Sequence, residues 1–191
     1  MKGRSLFALV VVAFGLGGSI ATLGWLASGY KKEAVRSSGQ STWTEVAWPF
    51  APDEWGKGKA FRCNASNCGT EVIYLYIRAK LGFCNCETGI ADDADLDRMG
   101  DLHLVGGQTS ALGAGRPITV GHMQGRSRAY SLTARSPFGR TAISAAFNDR
   151  CDMIVATVVL PHDRPYAIER EAIEFLNGKT VMRWAEVTLG L

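Results

Sequence analysis

The stretch GTEVIYLYIRAK, residues 69–80, carries the strongest β-strand signal in the chain. Its central residues, Val72 to Ile77, are all large and either apolar or aromatic, and such side chains favour an extended, pleated backbone. Because successive side chains of a strand point to opposite faces, large residues lie on both faces of this one. The sequence therefore predicts a central strand rather than an edge strand.

Five segments further along the chain also have the character of strands. Each is short, is alternating or rich in β-branched residues, and is bounded by Gly, Pro, Asn or Asp, which is typical of an antiparallel meander. The segments are 102–107, 116–125, 127–135, 140–150 and 151–160.

Three helices are predicted beside these strands. A short one lies within residues 91–101, an amphipathic one covers 166–178, and the last segment, which admits a helix or a strand, favours a helix that begins near Thr180. This combination of elements indicates an α+β fold, in which a single antiparallel β-sheet (meander) has helices packed to one side.

The first of these helices has an acidic beginning that admits two interpretations. Asp93, Asp95 and Asp97 alternate as the ligands of a calcium loop do. The sixth and twelfth positions of such a loop require Gly and an acidic residue, but they hold Arg98 and Leu104. A solvated acidic first turn, which interacts favourably with the helix dipole, is the preferred interpretation.

The N-terminus contains a segment that matches a membrane span. Residues 6–27 form an uncharged, largely apolar stretch of 22 residues, and at about 1.5 Å per helical residue this length crosses a hydrocarbon core of about 30 Å. The sequence therefore predicts an N-terminal membrane anchor or signal over residues 1–30, a linker over 31–42 and one folded domain over 43–191.

Basic residues lie on both sides of this segment, so the positive-inside rule does not decide its orientation. The order basic, apolar, polar is that of an export signal, so we expect the N-terminus inside and, in a bacterium, the folded domain in the periplasm. The preferred interpretation is a single-pass inner-membrane protein that retains its anchor. The alternative is a cleaved signal peptide, which would release the domain into the periplasm.

Aromatic residues follow the linker in a stretch that also contains prolines. They are Trp43, Trp48, Phe50 and Trp55. Because proline interrupts helices, we expect an extended segment laid over the domain, in which at least two of the tryptophans fill pockets.

The chain has five cysteines, four of them between residues 63 and 86. Thiols in an oxidising compartment pair as disulfides. The polar residues between Cys63 and Cys68 form a turn that brings the two together, so we predict a bridge between them. Cys84 and Cys86 are poorly placed to bond to each other. The second bridge is therefore predicted to join Cys151 to one of these two, which leaves one thiol free.

Two other interpretations of the cysteines remain open. In the first, a metal site for Cu(I) or Zn(II) uses the thiolates of Cys63, Cys68, Cys84 and Cys86, although their spacing departs from that of common zinc sites. In the second, the thiols are unpaired or redox-active. A thiol oxidoreductase normally has a C-x-x-C motif at the start of a helix, and the chain has none.

Charge and motifs exclude some classes of function. A net charge of +3 without a clustered basic face gives no footprint for nucleic acid. No P-loop, G-x-S-x-G or H-E-x-x-H motif occurs, so we expect no cofactor and favour a protein that is not an enzyme. Arg126 and Arg128 share a strand face and form a candidate surface for an anionic partner. The alternative for these two arginines is the solvated side of the sheet.

Two resemblances add to these observations. The stretches WPFAPDEWGKGKAFRC, GFCNC and FNDRCD resemble those of a small family of membrane-anchored proteobacterial proteins. This resemblance covers most of the chain and implies no particular activity. The ending, two long strands and then a helix that carries EFL, resembles the PsbP/Mog1-like domains and implies an α/β/α sandwich for the last third of the chain.

The sequence leads to two hypotheses about function. The first is a membrane-tethered periplasmic domain, stapled by disulfides, that binds an envelope protein and catalyses no reaction. In this hypothesis residues 6–27 contact the membrane. The alternative is a periplasmic metal-handling protein that binds Cu(I) or Zn(II) through the four clustered cysteines. Neither hypothesis identifies the envelope protein partner.

Overall fold

The computed structural model of the chain describes residues 42–68, 71–82, 90–106, 108–133, 137, 139–161 and 165–191. The predicted membrane anchor over residues 6–27 lies outside these residues. Within them, no helix is both long enough and apolar enough to cross a membrane. The anchor therefore stays a prediction.

Eight strands form one sheet in the described part of the chain. They are β1 (Trp43–Val46), β2 (Lys59–Cys63), β3 (Ile73–Lys80), β4 (Thr109–Ala111), β5 (Arg116–Val120), β6 (Met123–Leu132), β7 (Thr141–Asp149) and β8 (Asp152–Leu160). The helices described with them are α1 (Ala65–Cys68), α2 (Asp93–Met99), α3 (Leu102–Val105), α4 (Pro165–Leu176) and α5 (Lys179–Leu189). These elements make an α+β domain.

The strand pairs of the sheet are antiparallel. The order is β1-β2-β3-β8-β7-β6-β4, and β5 also pairs with β6, on the same side as β4. The prediction of a single antiparallel sheet is confirmed. The sheet is not one continuous meander, however, because β3 pairs with β8. Because these two strands pair, each covers an edge of the other at the centre of the sheet. Both are buried over most of their length.

The two long helices pack on one face of the sheet, as predicted. Leu176 of α4 and Val181 and Ala185 of α5 are buried in one cluster with the sheet residues Phe147 and Ile154. These helices supply the apolar cover that the strands need on this face.

The opposite face of the sheet carries the short helix α2. Leu96 and Met99 of this helix are buried together with Ala146, Met153 and Val155. The three strand residues alternate with those that face α4 and α5, so they point the other way. The sheet is thus covered on both faces, which explains why its central strands are apolar on both.

The segment 102–107 contains a helix rather than the predicted strand. Leu102 and Val105 are three residues apart, which places them on the same side of a helical turn, and both are buried. His103 is exposed on α3, whereas Asp101 is buried. A short alternation of apolar residues does not distinguish a single helical turn from a strand.

The predicted boundary between two other strands is also wrong. The pattern predicts separate strands over 116–125 and 127–135, but the chain reverses at Gly121 and His122, between β5 and β6. Gly121 has a φ of +61°, a conformation that glycine adopts readily and that tight two-residue hairpin turns require. The reversal therefore falls at the glycine that can adopt this conformation.

The three predicted helices are present. Asp92 caps α2 by accepting a hydrogen bond from the Asp95 N–H, and Gly100 follows the last residue of this helix. The predicted amphipathic helix is α4, which runs from Pro165 to Leu176. The last helix, α5, begins at Lys179, one residue before the expected start.

The aromatic segment before β2 packs on the domain, as predicted. Trp43 lies in β1 and stacks on Phe175 of α4, with their ring centroids 5.3 Å apart. Trp48 makes an edge contact with Tyr76 of β3 at 6.1 Å. At least two tryptophans therefore fill pockets, one on each face of the sheet, because Phe175 and Tyr76 belong to the clusters on opposite faces.

Candidate ligand-binding groove

An open groove runs between β5 and α4 at one edge of the sheet. Its volume is about 590 Å³. The lining comes from β5, β6 and α4 and includes Arg116, Ile118, Ser127, Tyr166, Glu169 and Ile173. We call it the β5–α4 groove.

The inner wall of the β5–α4 groove holds a buried carboxylate. Glu169 is 8% exposed because it falls on the buried side of α4, between Ile168 and Ala172. Burying an ionised carboxylate is costly unless bonded partners compensate. The Ser127 hydroxyl donates to Oε1 over 2.5 Å, and the Arg116 guanidinium donates to Oε2. These two partners are opposite each other in the pairing of β5 with β6.

Arg116 connects this buried carboxylate to the solvent. Its side chain is 53% exposed, and its guanidinium lies 4.8 Å from the centre of the Tyr166 ring. An arginine that stacks on an aromatic ring and bonds to a carboxylate loses much of its rotamer freedom. Arg116 is therefore a cation that is held in place and can still be reached from the groove.

Two further charged residues of α4 line the groove. Arg170 and Glu174 are exposed, and neither forms an ion pair with another residue in the described part of the chain. Arg170 directly follows Glu169 in the chain. Glu174 lies about 6 Å from Arg170 along the helix axis. The groove lining thus holds two cations, Arg116 and Arg170, and Glu174 shares a face of α4 with Arg170.

A second group of charged residues lies on the opposite face of the sheet and is enclosed. Arg78 of β3 is 1% exposed, and it donates to both carboxylate oxygens of Asp101 and of Asp53 over distances of 2.5 to 2.7 Å. Lys80 lies 2.9 Å from Asp101. The hydrogen bond from Arg78 lowers the pKa of Asp53 below its ordinary value of 3.8. Two cations face two carboxylates, so this group holds the start of α3 and the aromatic segment on the sheet.

The predicted bridge between Cys63 and Cys68 is confirmed. Their Cα atoms are 5.9 Å apart, and both residues are buried. Neither sulfur is a thiolate in this bond, so the alternative site for Cu(I) or Zn(II) lacks two of its four ligands in this state of the protein. Among the described residues, no group of three or more His, Cys, Asp and Glu side chains is placed to hold a metal ion.

Cys151, at the tip of the hairpin between β7 and β8, is also disulfide-bonded. Its predicted partners, Cys84 and Cys86, lie outside the described residues. The pairing of Cys151 with one of them therefore stays a prediction, and so does the free thiol.

Hydrogen bonds hold residues on either side of the segment 83–89 to the hairpin that carries Cys151. Before the segment, the Gly82 N–H donates to Asp152 over 2.7 Å. After it, the Ile90 N–H donates to Asn148 over 3.4 Å. Both anchors lie within three residues of the bonded cysteine, which supports the predicted pairing.

Arg126 and Arg128, the candidate surface for an anionic partner, lie on β6 and bond to α2. Arg126 donates to Asp93 over 2.6 Å, and Arg128 donates to Asp97 over 3.0 Å. The Gly115 N–H and the Arg126 guanidinium lower the pKa of Asp93 below its ordinary value of 3.8. An anionic partner would have to compete with these carboxylates, so both arginines are better suited to holding α2 on the sheet.

The residues of the β5–α4 groove are far apart in the chain, and no local sequence pattern marks them as a group. One signal was present: Glu169 is a charged residue within the apolar stripe of an amphipathic helix, beside Ile168 and Ala172. Its partners become visible only once β5, β6 and α4 are assembled.

No significant match is found when the chain is compared with protein-family models, with curated proteins or with solved structures.

Proposed function

We propose that this protein is a membrane-tethered periplasmic domain that binds an envelope protein in the β5–α4 groove and catalyses no reaction. The observation that carries the proposal is the pair of Arg116 and Glu169, a buried carboxylate whose cationic partner is half-exposed in an open groove. A partly buried ion pair contributes little net stability. Its position at the groove is better explained by recognition of a ligand.

Disulfide bonds support a location outside the cytoplasm. Cys63 and Cys68 are bonded to each other, and Cys151 is bonded as well. Such bonds form and persist in oxidising compartments such as the periplasm. The predicted anchor over residues 6–27 would keep the domain at the inner membrane as a single-pass protein.

The chemistry of the groove favours binding over catalysis. Ser127 is 1% exposed, and its neighbour Glu169 is paired with Arg116 rather than free to act as a base. A serine nucleophile needs an adjacent free base. No histidine or cysteine is among the described residues that line the groove.

Photo-crosslinking in cells that express the full chain tests the proposal. With p-benzoylphenylalanine in place of Ile173, which lines the groove, we expect a discrete adduct with an envelope protein. The matched control carries the same probe in place of Val187, which is 76% exposed on α5, and should give no such adduct. The absence of an adduct at the groove, or the same adduct at both positions, would contradict the proposal.

A further inference from the structure

The Arg116 guanidinium has hydrogen-bonding capacity that the described residues leave unused. A guanidinium carries five N–H donors, and among the described side chains Glu169 takes a bond from Nη2 alone. The Tyr166 ring makes a cation–π contact with the group and accepts no hydrogen bond from it. The remaining donors form a fixed fork, the geometry that matches a planar carboxylate.

The groove lining contains a second cation. Arg170 lines the same groove and forms no ion pair within the described part of the chain. Because Glu169 already neutralises one positive charge, Arg170 provides the additional charge that an incoming carboxylate needs. Glu174 lies one turn further along α4, about 6 Å away along the helix axis. The spare donors of Arg116 are therefore the position in the groove that favours an anionic group.

The shape of the groove favours an extended chain over a small molecule. Sites for small molecules are concave and bury most of the ligand surface, whereas this groove is open along β5 and α4. Its apolar lining includes Ile173, which is half-buried, and Ile118, which is 8% exposed. Pro117 lacks an N–H and interrupts any hydrogen-bonded strand that would add to β5. Recognition must therefore depend mainly on side chains.

We infer that the β5–α4 groove binds an extended peptide segment of the partner, in which an Asp or Glu carboxylate pairs with Arg116 and neighbouring apolar side chains contact Ile118 and Ile173. This inference rests on the proposed function and adds the chemical class of the ligand. Glu169 and Tyr166 position the arginine, so little side-chain entropy is lost when the carboxylate binds.

Fluorescence anisotropy tests the inference with full-length protein in a neutral detergent. The probe is the fluorescein-labelled peptide Leu-Asp-Val-Asp-Leu, and its neutral counterpart is Leu-Asn-Val-Asn-Leu, each corrected for binding to empty micelles. A charge-assisted bond favours the aspartate peptide by about tenfold in Kd. In Arg116→Gln the preference should fall below about twofold. In Arg183→Gln, which removes the same charge from α5 outside the groove, it should remain.

A second variant separates recognition from folding. Arg116→Gln leaves Glu169 buried without its cationic partner, whereas the double variant Arg116→Gln/Glu169→Gln removes both charges and keeps polar side chains. It should fold and should bind both peptides equally. Equal affinity of the two peptides for the unmodified protein, no binding of either, or an undiminished preference in the double variant would overturn the inference. If an adduct still forms from position 173, the groove remains a binding site and only the carboxylate class is refuted.

Discussion

Replacing Asp101 by asparagine would show how strongly the buried charges on β3 stabilise the fold. Asp101 is 3% exposed and is the centre of the group, because it accepts hydrogen bonds from Arg78 and lies 2.9 Å from the Lys80 ammonium. Asparagine keeps the shape of the side chain and removes its charge. Arg78 would retain Asp53 as a partner, whereas Lys80 would retain the Met99 carbonyl at 2.8 Å but no carboxylate.

The expected loss of stability is large. Removing one partner of a buried ion pair typically costs about 3–5 kcal/mol, and whole domains are stable by only about 5–15 kcal/mol. In a domain of this size, 1 kcal/mol corresponds to about 2–4 °C in Tm. The Tm of Asp101→Asn should therefore be lower by about 6–20 °C.

Urea unfolding of the full-length protein in a mild detergent, followed by tryptophan fluorescence and circular dichroism, measures this loss. The matched control is Glu45→Gln, which removes an exposed ion pair with Lys59. Exposed pairs contribute about 0–1 kcal/mol, so the control should unfold at nearly the same urea concentration as the unmodified protein. A loss for Asp101→Asn no larger than that of Glu45→Gln would refute the reasoning, because burial would then add nothing to the contribution of these charges.

Three further predictions concern pH, disulfide pairing and topology. Burial raises the pKa of Tyr76 from 10.0 to about 12, so the stability due to its neutral form is complete below pH 10 and lost as the pH rises towards 12. Between about pH 9 and about pH 11.5, the free energy of unfolding measured with urea should fall less for Tyr76→Phe than for the unmodified protein. An equal fall in both proteins would contradict this. Peptide mapping without reduction should find Cys151 linked to Cys84 or Cys86; a link to neither would exclude the predicted pairing. A periplasm-active reporter fused after Leu191 should be active and a cytoplasm-only reporter inactive. The reverse pattern would refute the proposed periplasmic location of the domain.

β3 shows how much a local pattern predicts and where it stops. Large residues on both of its faces predict a central strand, and β3 does lie between β2 and β8. The identity of the second neighbour was not predicted, because several later segments are equally apolar and the pattern contains no information on pairing. The same limit explains why the helix α3 was not predicted. Its first residue follows Asp101, which Arg78 holds from a position 23 residues earlier in the chain, and no local pattern contains that contact.

The groove was harder to predict than the sheet for a physical reason. Apolar periodicity reports which side of an element is buried, and it succeeds for α4 and α5. It does not report which polar groups from different elements meet. Ser127 and Glu169 bond across 42 residues of sequence, and that contact exists only once α4 is packed on the sheet. A glutamate among buried positions does signal a polar partner, but the sequence does not show which one.

Arg78 and Glu169 are both charged residues on otherwise apolar faces, and the exposure of their partners separates their roles. Arg78 is 1% exposed, and its partner Asp101 is 3% exposed. Its other partner, Asp53, is 26% exposed, but both carboxylate oxygens of Asp53 accept hydrogen bonds from Arg78, so the charges of that group are satisfied internally. Glu169 is also buried, at 8% exposed, but its partner Arg116 is 53% exposed and has donors to spare. Removing Asp101 should therefore affect stability alone, whereas removing Arg116 strands the buried Glu169 and should affect ligand recognition as well as stability.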